Sequence, residues 1–389
     1  MTEFSVREDF IVFSPPTLGD EECAAVEKVL RSGWLSTGPE TVAFESEFSK
    51  KVGAESALAV NSCTAALHLA LLAHGVGPGD EVLTTPMTFA ATVNVIEHVG
   101  ATPVFVDVHP ETLLMDPSKI AGCITKKSKV ILPVHFAGQP CDMASINATA
   151  EEYGLAVIED AAHALPTKYA DGSLVGSSSN LCTFSFYANK NMTTGEGGML
   201  TGPKVLVDSV RTIALHGLNR DAWKRFGNSG FSLYDVESPG YKYNMTDIQA
   251  SLGRVQMARL DEFWRRRVDM DQRYRNGLKD VPAVTVLSNP AGEHHGYHLF
   301  IVFLDPAALN IDRDQFMSEM KALQVGVALH YPPVNEFSYY RDKYGPSTTP
   351  VASRLFPQMM SLPFSPKVSD QQVDYIVDAI KYLCQKHKA

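Results

Sequence analysis

Between about Glu21 and Leu260, short apolar runs alternate with helical patterns, and this alternation constrains the fold more than any other feature of the chain. Residues 56–60, 81–85, 102–106, 129–134 and 155–159 read as strands, and residues 65–74, 90–98 and 143–153 read as helices. Parallel strands need long crossover connections, and helices supply them. The pattern therefore predicts an α/β architecture with a largely parallel sheet covered on both faces. In such sheets, ligand sites form beyond the carboxyl ends of the strands.

After Leu260 the character changes. Residues 245–275 carry two helical patterns, then 297–304 reads as a strand, 312–323 as a helix, 326–329 as a short strand and 370–386 as a closing amphipathic helix. This predicts a large domain with an N-terminal arm over residues 1–260 and a smaller α+β domain over 261–389. At 389 residues and 45% hydrophobic content the chain can bury a large core.

Several function classes are disfavoured. The net charge is −10 and the basic residues are scattered, which argues against a nucleic-acid partner. The one basic run, Arg265–Arg267, falls in a helical stretch and reads as a solvated face. Six cysteines without C-x-x-C spacing do not form a disulfide scaffold. The mixed-charge first ten residues lack an apolar leader core, and no apolar run reaches membrane-spanning length. A reduced, cytoplasmic enzyme is the expectation, with no membrane partner.

Lys190 stands in SFYANKNMTTGEGG (residues 185–198), between a β-prone aromatic run and a Thr/Gly-rich turn. A lone lysine is ordinarily a solvated surface group. Here Phe184, Phe186 and Tyr187 flank it, and apolar flanks lower an amine's pKa by desolvation. Upstream, the apolar run ending VIED closes on Asp160, with His163 three residues on. A strand-end lysine and a strand-end aspartate are what pyridoxal phosphate (PLP) requires: the lysine holds the aldehyde as a Schiff base, and the carboxylate keeps the pyridine nitrogen protonated.

Each residue also has a plainer reading. Asp160 alone would be a helix N-cap. His163 could be a core histidine or lie against a cofactor ring. Ser185 is either an ordinary strand polar residue or a phosphate ligand. VNSCTAAL (residues 60–67) joins a strand to a helix, so it is either a capping turn or an anion site at a helix N-terminus. Phe89 is either core or a ring-stacking aromatic. The glycine-rich segment 75–79 precedes a strand and lacks dinucleotide spacing. His294, His295 and His298 lack an acidic or cysteine cluster, so no metal site is expected.

With these residues in hand, the chain resembles the DegT/StrS-type sugar-nucleotide aminotransferases, PLP enzymes of the aspartate-aminotransferase (type I) fold, from about residue 14 to 383. The landmarks are SGWLSTGP (32–39), NSCTAAL (61–67), GATPVFVD (100–107), PVHFAG (133–138), EDAAH (159–163), the Lys190 stretch and GYKYNMTDIQ (240–249). The resemblance implies that Lys190 carries the cofactor, Asp160 pairs with its ring nitrogen and His163 lies near its phenolic oxygen. It places Cys63, Thr64 and Ser185 around the phosphate and stacks Phe89 on the ring. It has Asn244 reach the cofactor phosphate of a neighbouring subunit, making the active unit a homodimer with shared sites. Trp34, Ser36, Thr37, Arg220 and His330 would line the substrate mouth.

The implied reaction is ping-pong transamination. Glutamate loads the cofactor as pyridoxamine phosphate (PMP) and leaves as 2-oxoglutarate; the amine then passes to the ketone of a nucleotide-linked sugar. Phrases around 217–222 and 238–244 look closest to enzymes aminating C4 of UDP-4-keto sugars, including the 4-amino-4-deoxy-arabinose type; Phe89 stands where that pentose enzyme has tryptophan. A dTDP-linked sugar, a C3 ketone, a cyclitol or an amino-benzoate precursor share the same catalytic residues. Lys190 argues against the histidine-type dehydratases of the family. A single cysteine after Cys182 argues against an iron–sulfur relative. A non-catalytic PLP-binding regulator would call for a lost lysine or an added DNA-binding segment, and neither is visible.

Overall fold

The computed structural model describes residues 4–218 and 235–389. Ten strands are present among them: β1 (Ser56–Val60), β2 (Glu81–Thr84), β3 (Thr102–Phe105), β4 (Ser128–Leu132), β5 (Ala156–Asp160), β6 (Leu181–Ser185), β7 (Gly198–Gly202), β8 (Val284–Val286), β9 (Phe300–Leu304) and β10 (Met359–Leu362). The first seven form one sheet in the order β1-β7-β6-β5-β4-β2-β3. Its pairings are parallel except at β7, which runs antiparallel to both neighbours. The last three form an antiparallel sheet in the order β10-β9-β8.

Strand pleating explains the two covered faces. Val82, Val130 and Ile158 pack into one apolar layer with Leu67, Leu71 and Val207, while their neighbours Leu83, Ile131 and Val157 point the other way, to Ile146 and Met143. A further core, with Tyr274, Phe316, Ile376 and Ile380, lies under the three-stranded sheet. Helices Ala90–His98, Met143–Tyr153 and Asp370–Lys386 fall at the residues the sequence predicts.

Three expectations need correction. Residues 326–329 form no strand; Ala328 makes an isolated bridge to Ser361, beside the single bridge of Ile11 to Val325. The strand expected from residue 297 begins at Phe300, because Tyr297 has a left-handed φ of 53° that breaks extended geometry. The Arg265–Arg267 run is not a uniformly solvated face. On helix Leu260–Leu278 the inward stripe is Phe263, Arg267, Met270 and Tyr274, so helical period places Arg267 inside, with 2% of its surface exposed.

Candidate active site

β5 delivers Asp160 at its last position, paired with Thr183 of β6, and buries all but 3% of it. Its Oδ2 accepts the Thr92 hydroxyl at 2.8 Å, and its Oδ1 accepts the Ala162 N–H at 3.0 Å. Burial pushes this carboxyl above the usual carboxylate range, while the two hydrogen bonds and the Lys190 charge pull it back. No helix starts here, so the plain N-cap reading is not what the segment folds into.

Behind it, Glu159 points to the other side of the strand and is wholly buried. It accepts hydrogen bonds from His135 Nε2 (2.9 Å), Tyr169 Oη (2.8 Å), Ser178 Oγ (2.7 Å) and Asn180 Nδ2 (2.9 Å). The Cys141 N–H donates to His135 Nδ1, which leaves the ring proton on Nε2 for Glu159. A satisfied polar network of this kind fixes the end of β5 rigidly.

Lys190 sits on the connection from β6 to β7. The loop is tied at its neck: Phe186 N–H donates to Gly197 O, and Thr194 N–H and the Thr193 hydroxyl donate to Phe186 O. Gly195 supplies a positive φ of 78° for the return. Desolvation lowers the Lys190 ammonium to about 8, against the opposing influence of Cys63 and Asp160. A usable fraction of neutral amine is therefore present near neutral pH.

Ser185 ends β6 directly opposite Gly198 of β7. Gly198 in turn lies against the turn into helix Cys63–Ala73. A Cβ on it would stand 2.5 Å from the Ser62 carbonyl carbon and 2.6 Å from the Cys63 nitrogen. Ser62 caps that helix, accepting the Ala65 N–H at 3.1 Å, so Cys63 and Thr64 occupy the first turn, where backbone N–H groups lack helical partners. Burial and the Asp160 charge push the Cys63 thiol up, which keeps it neutral and unsuited to nucleophilic work.

His163 Nδ1 accepts the Ala137 N–H at 3.3 Å, so its proton is on Nε2, 3.1 Å from the Tyr331 hydroxyl. Burial holds this ring well below the ordinary histidine range, hence neutral. His298 lies with its ring centroid 4.3 Å away, and its Nδ1 meets Asn191 Oδ1 at 3.1 Å. His330 is lowered to about 3 by burial, bonds Ser361 Oγ at 3.0 Å and stacks on Phe13. Phe89 immediately precedes helix Ala90–His98, 60% exposed and 5.8 Å from the Tyr331 ring, so it is not a core residue.

Tyr331, His298 and Asn191 join the site without a sequence signal that assigns them to it. Adjacency to His330 is the one hint at Tyr331. The histidine cluster around His298 raises a metal site, and among the described residues no group of three or more His, Cys, Asp or Glu side chains is placed to hold a metal ion.

Trp34, Ser36 and Thr37, three of the expected mouth residues, gather elsewhere with Asn244. Trp34 is 45% exposed, and its Nε1 donates to Thr37 O. The Ser36 carbonyl accepts the Asp247 N–H, and Asn244 Nδ2 donates to Thr37 Oγ1 at 2.7 Å. Among the described residues, no hydrogen bond or ring contact joins Trp34, Ser36, Thr37 or Asn244 to Lys190, Asp160 or His163. Arg220 lies outside the described residues.

An amine poised near neutrality, a buried carboxylate and a helix N-terminus ready for an anion, all beyond the carboxyl ends of a doubly covered sheet, suit a phosphorylated pyridine aldehyde. Gly198 is the specific sign of fit, because any side chain there would crowd the Cys63 backbone nitrogen. Fold and chemistry together are those of a PLP-dependent aminotransferase. Residues 16–381 match the model of the DegT/DnrJ/EryC1/StrS aminotransferase family, and the chain belongs to that family. It is 43% identical over 379 residues to the spore coat polysaccharide biosynthesis protein SpsC of Bacillus subtilis, covering 96% of this chain and 97% of that one. The PMP form of the putative sugar aminotransferase Spr1654 from Streptococcus pneumoniae superposes with a TM-score of 0.90 at 35% identity, over 97% of this chain and 98% of that one. Aminotransferase TlmJ from Streptoalloteichus hindustanus gives 0.88 at 32% identity, over 97% and 99%. Among the described residues, no helix is long and apolar enough to cross a membrane.

Proposed function

We propose that the protein transfers an amino group from glutamate to the C4 ketone of a UDP- or dTDP-linked sugar, releasing 2-oxoglutarate and the amino sugar. The observation that carries the aminotransfer is the Lys190 amine, lowered to about 8, within electrostatic reach of buried Asp160. The sugar is supported by the relatives, one named for polysaccharide biosynthesis and another as a sugar aminotransferase.

When bound, PLP supplies an electron sink for the negative charge that develops when the Cα proton of the donor is removed. The chain's own residues do the rest. Lys190 would hold the cofactor at rest; once freed, its neutral amine would take the proton from the carbon that gives up the amine and hand it to the carbon that receives it. Asp160, whose charged form Thr92 and the Ala162 N–H favour against burial, would hold the ring nitrogen protonated. Cys63 and Thr64, through the helix N-terminus, and Ser185 receive the phosphate. Phe89 would cover the ring face, and His163, held neutral by burial with its Nδ1 accepting the Ala137 N–H, would lie at the phenolic oxygen.

A homodimer follows in this reading. Trp34, Ser36, Thr37 and Asn244 group on a surface with exposed Leu35 and Val42, and a second copy burying that apolar surface would bring them to its own Lys190. His330 stays near Lys190 within one chain. Residues 1–260 and 261–389 serve as the large and small domains. Six unpaired cysteines suit the reduced cytoplasm.

The test is incubation with glutamate and a panel of UDP-, dTDP- and GDP-linked 3-keto and 4-keto sugars, with product identified by mass and NMR. A 4-amino product from a UDP- or dTDP-sugar is expected. Amination of C3, or only of a cyclitol or amino-benzoate precursor, overturns the substrate assignment while leaving the aminotransferase intact.

A further inference from the structure

We propose that one ordered water molecule is bound on the side of Lys190 that faces the N-terminal arm, held jointly by Arg267, Thr17 and Asn189. A small, partly open pocket of about 10 Å³ lies there, bordered by Pro15, Thr17, Asn189, Lys190, Arg267 and Ser365, among others. Three residues of its wall each carry a buried polar atom with no hydrogen-bond partner in the protein: Arg267 Nε, Thr17 Oγ1 and Asn189 Oδ1. Such atoms are rare in folded chains, and three meeting on one cavity point to a shared ligand.

The donor and acceptor inventory selects that ligand. Arg267 Nε–H can only donate, Asn189 Oδ1 can only accept, and the Thr17 hydroxyl can do either. The guest must accept from the guanidinium and donate to the amide oxygen, which an anion such as chloride cannot do. The cavity volume matches about one water, and about three hydrogen bonds are what a buried water typically makes. Neighbouring polar groups are already engaged: Ser365 Oγ donates to Pro15 O, and Gln256 Nε2 donates to Thr17 O.

The water completes a hub that reaches the catalytic lysine. Arg267 Nη1 donates to the carbonyls of Tyr297, His298 and Phe364, so the guanidinium already holds the chain on both sides of the three-stranded sheet's entry. Among the described residues no carboxylate pairs with it, and its burial costs charge solvation that the water partly restores. Through the water, its Nε–H grips Asn189, the residue before Lys190, and Thr17 of the N-terminal arm. Arg267 and Thr17 are thus positioning residues for Lys190.

A crystal structure of the cofactor-loaded enzyme, at a resolution that shows ordered solvent, tests this. A single peak within hydrogen-bond distance of all three atoms is expected. Absence of a peak, or an anomalous signal there from crystals grown in bromide, overturns it. Thr17→Val removes one partner without touching Lys190, and Thr17→Ser retains it. In Thr17→Val the peak should weaken. The midpoint for the pH-dependent visible absorbance of bound cofactor should fall by about half a unit, because the charged form loses a polar neighbour. Thr17→Ser should keep both as in the parent. An unaltered peak and midpoint in Thr17→Val overturns the bridge.

Discussion

Thr92 and Asp160 are joined by a hydrogen bond of 2.8 Å in which the hydroxyl donates to the carboxylate. Thr92 Oγ1 also lies 2.7 Å from the Thr88 hydroxyl; with its own proton committed to Asp160, it accepts from Thr88. The helix that begins after Phe89 therefore reaches into the sheet and sets the charge of the residue beneath the proposed ring nitrogen.

Thr92→Val keeps the volume and removes that donor. A hydrogen bond to a buried charged group is worth about 1.5–3 kcal/mol, so kcat/KM should fall roughly ten- to a hundredfold. The visible spectrum of the bound cofactor should also shift toward the form with a neutral ring nitrogen. Steady-state kinetics and absorbance check both, and Thr92→Ser should recover most of the loss.

Lys190 carries a direct pH signature. Its ammonium is lowered from 10.5 to about 8, so the native protein releases this proton where the unfolded chain still holds it. Stability of the cofactor-free protein should therefore rise with pH between about 8 and 10.5, and Lys190→Met should remove that slope in denaturation measured across the window. Capture of added PLP needs the neutral amine. Its rate should climb about tenfold per unit up to pH 8 and flatten above, and a climb continuing to 10 would contradict the lowered value.

Gly198→Ala puts a methyl 2.5 Å from the Ser62 carbonyl carbon. Backbone stands on both sides, so either β7 or the turn into helix Cys63–Ala73 must move. Overpacking of this sort costs about 1–3 kcal/mol, and cofactor affinity should drop roughly ten- to a hundredfold. Titration of the cofactor-free variant with PLP measures it.

Much of the fold and the centre of the site are legible in the order of the residues. Alternating apolar runs announce the central sheet because its strands are buried on both faces. The Lys190 stretch stands out because a lysine among aromatics is chemically odd. What stays hidden depends on distance through space. Thr92 is an ordinary helix residue until β5 places Asp160 beside it. Arg267 reads as solvated because a run of arginines looks polar whichever one the helix turns inward. Tyr331 and His298 lie far along the chain from His163, and only the approach of the three-stranded sheet unites them. The expected strand at 326–329 fails because Ala328 has one bridge and no continuing partner.

Mixed subunits test the shared site. In a heterodimer of Lys190→Ala with Asn244→Ala chains, an across-interface role for Asn244 leaves one of the two sites with both residues intact. Activity should return to about half the parental value per dimer if the sites act independently. Heterodimers proven by tag purification but no more active than either variant alone would place Asn244 in its own chain's site.

The connection that carries Lys190 begins and ends in the seven-stranded sheet, whereas His298, His330 and Tyr331 arrive with the three-stranded one. The nucleophile and its carboxylate are thus bolted to a common floor, and the three rings belong to a ceiling. Floor and ceiling are not independent, because Asn191, the residue after Lys190, meets His298 Nδ1 at 3.1 Å and donates to the Gly296 carbonyl. A change in how the two sheets approach therefore reaches the lysine through the residue beside it.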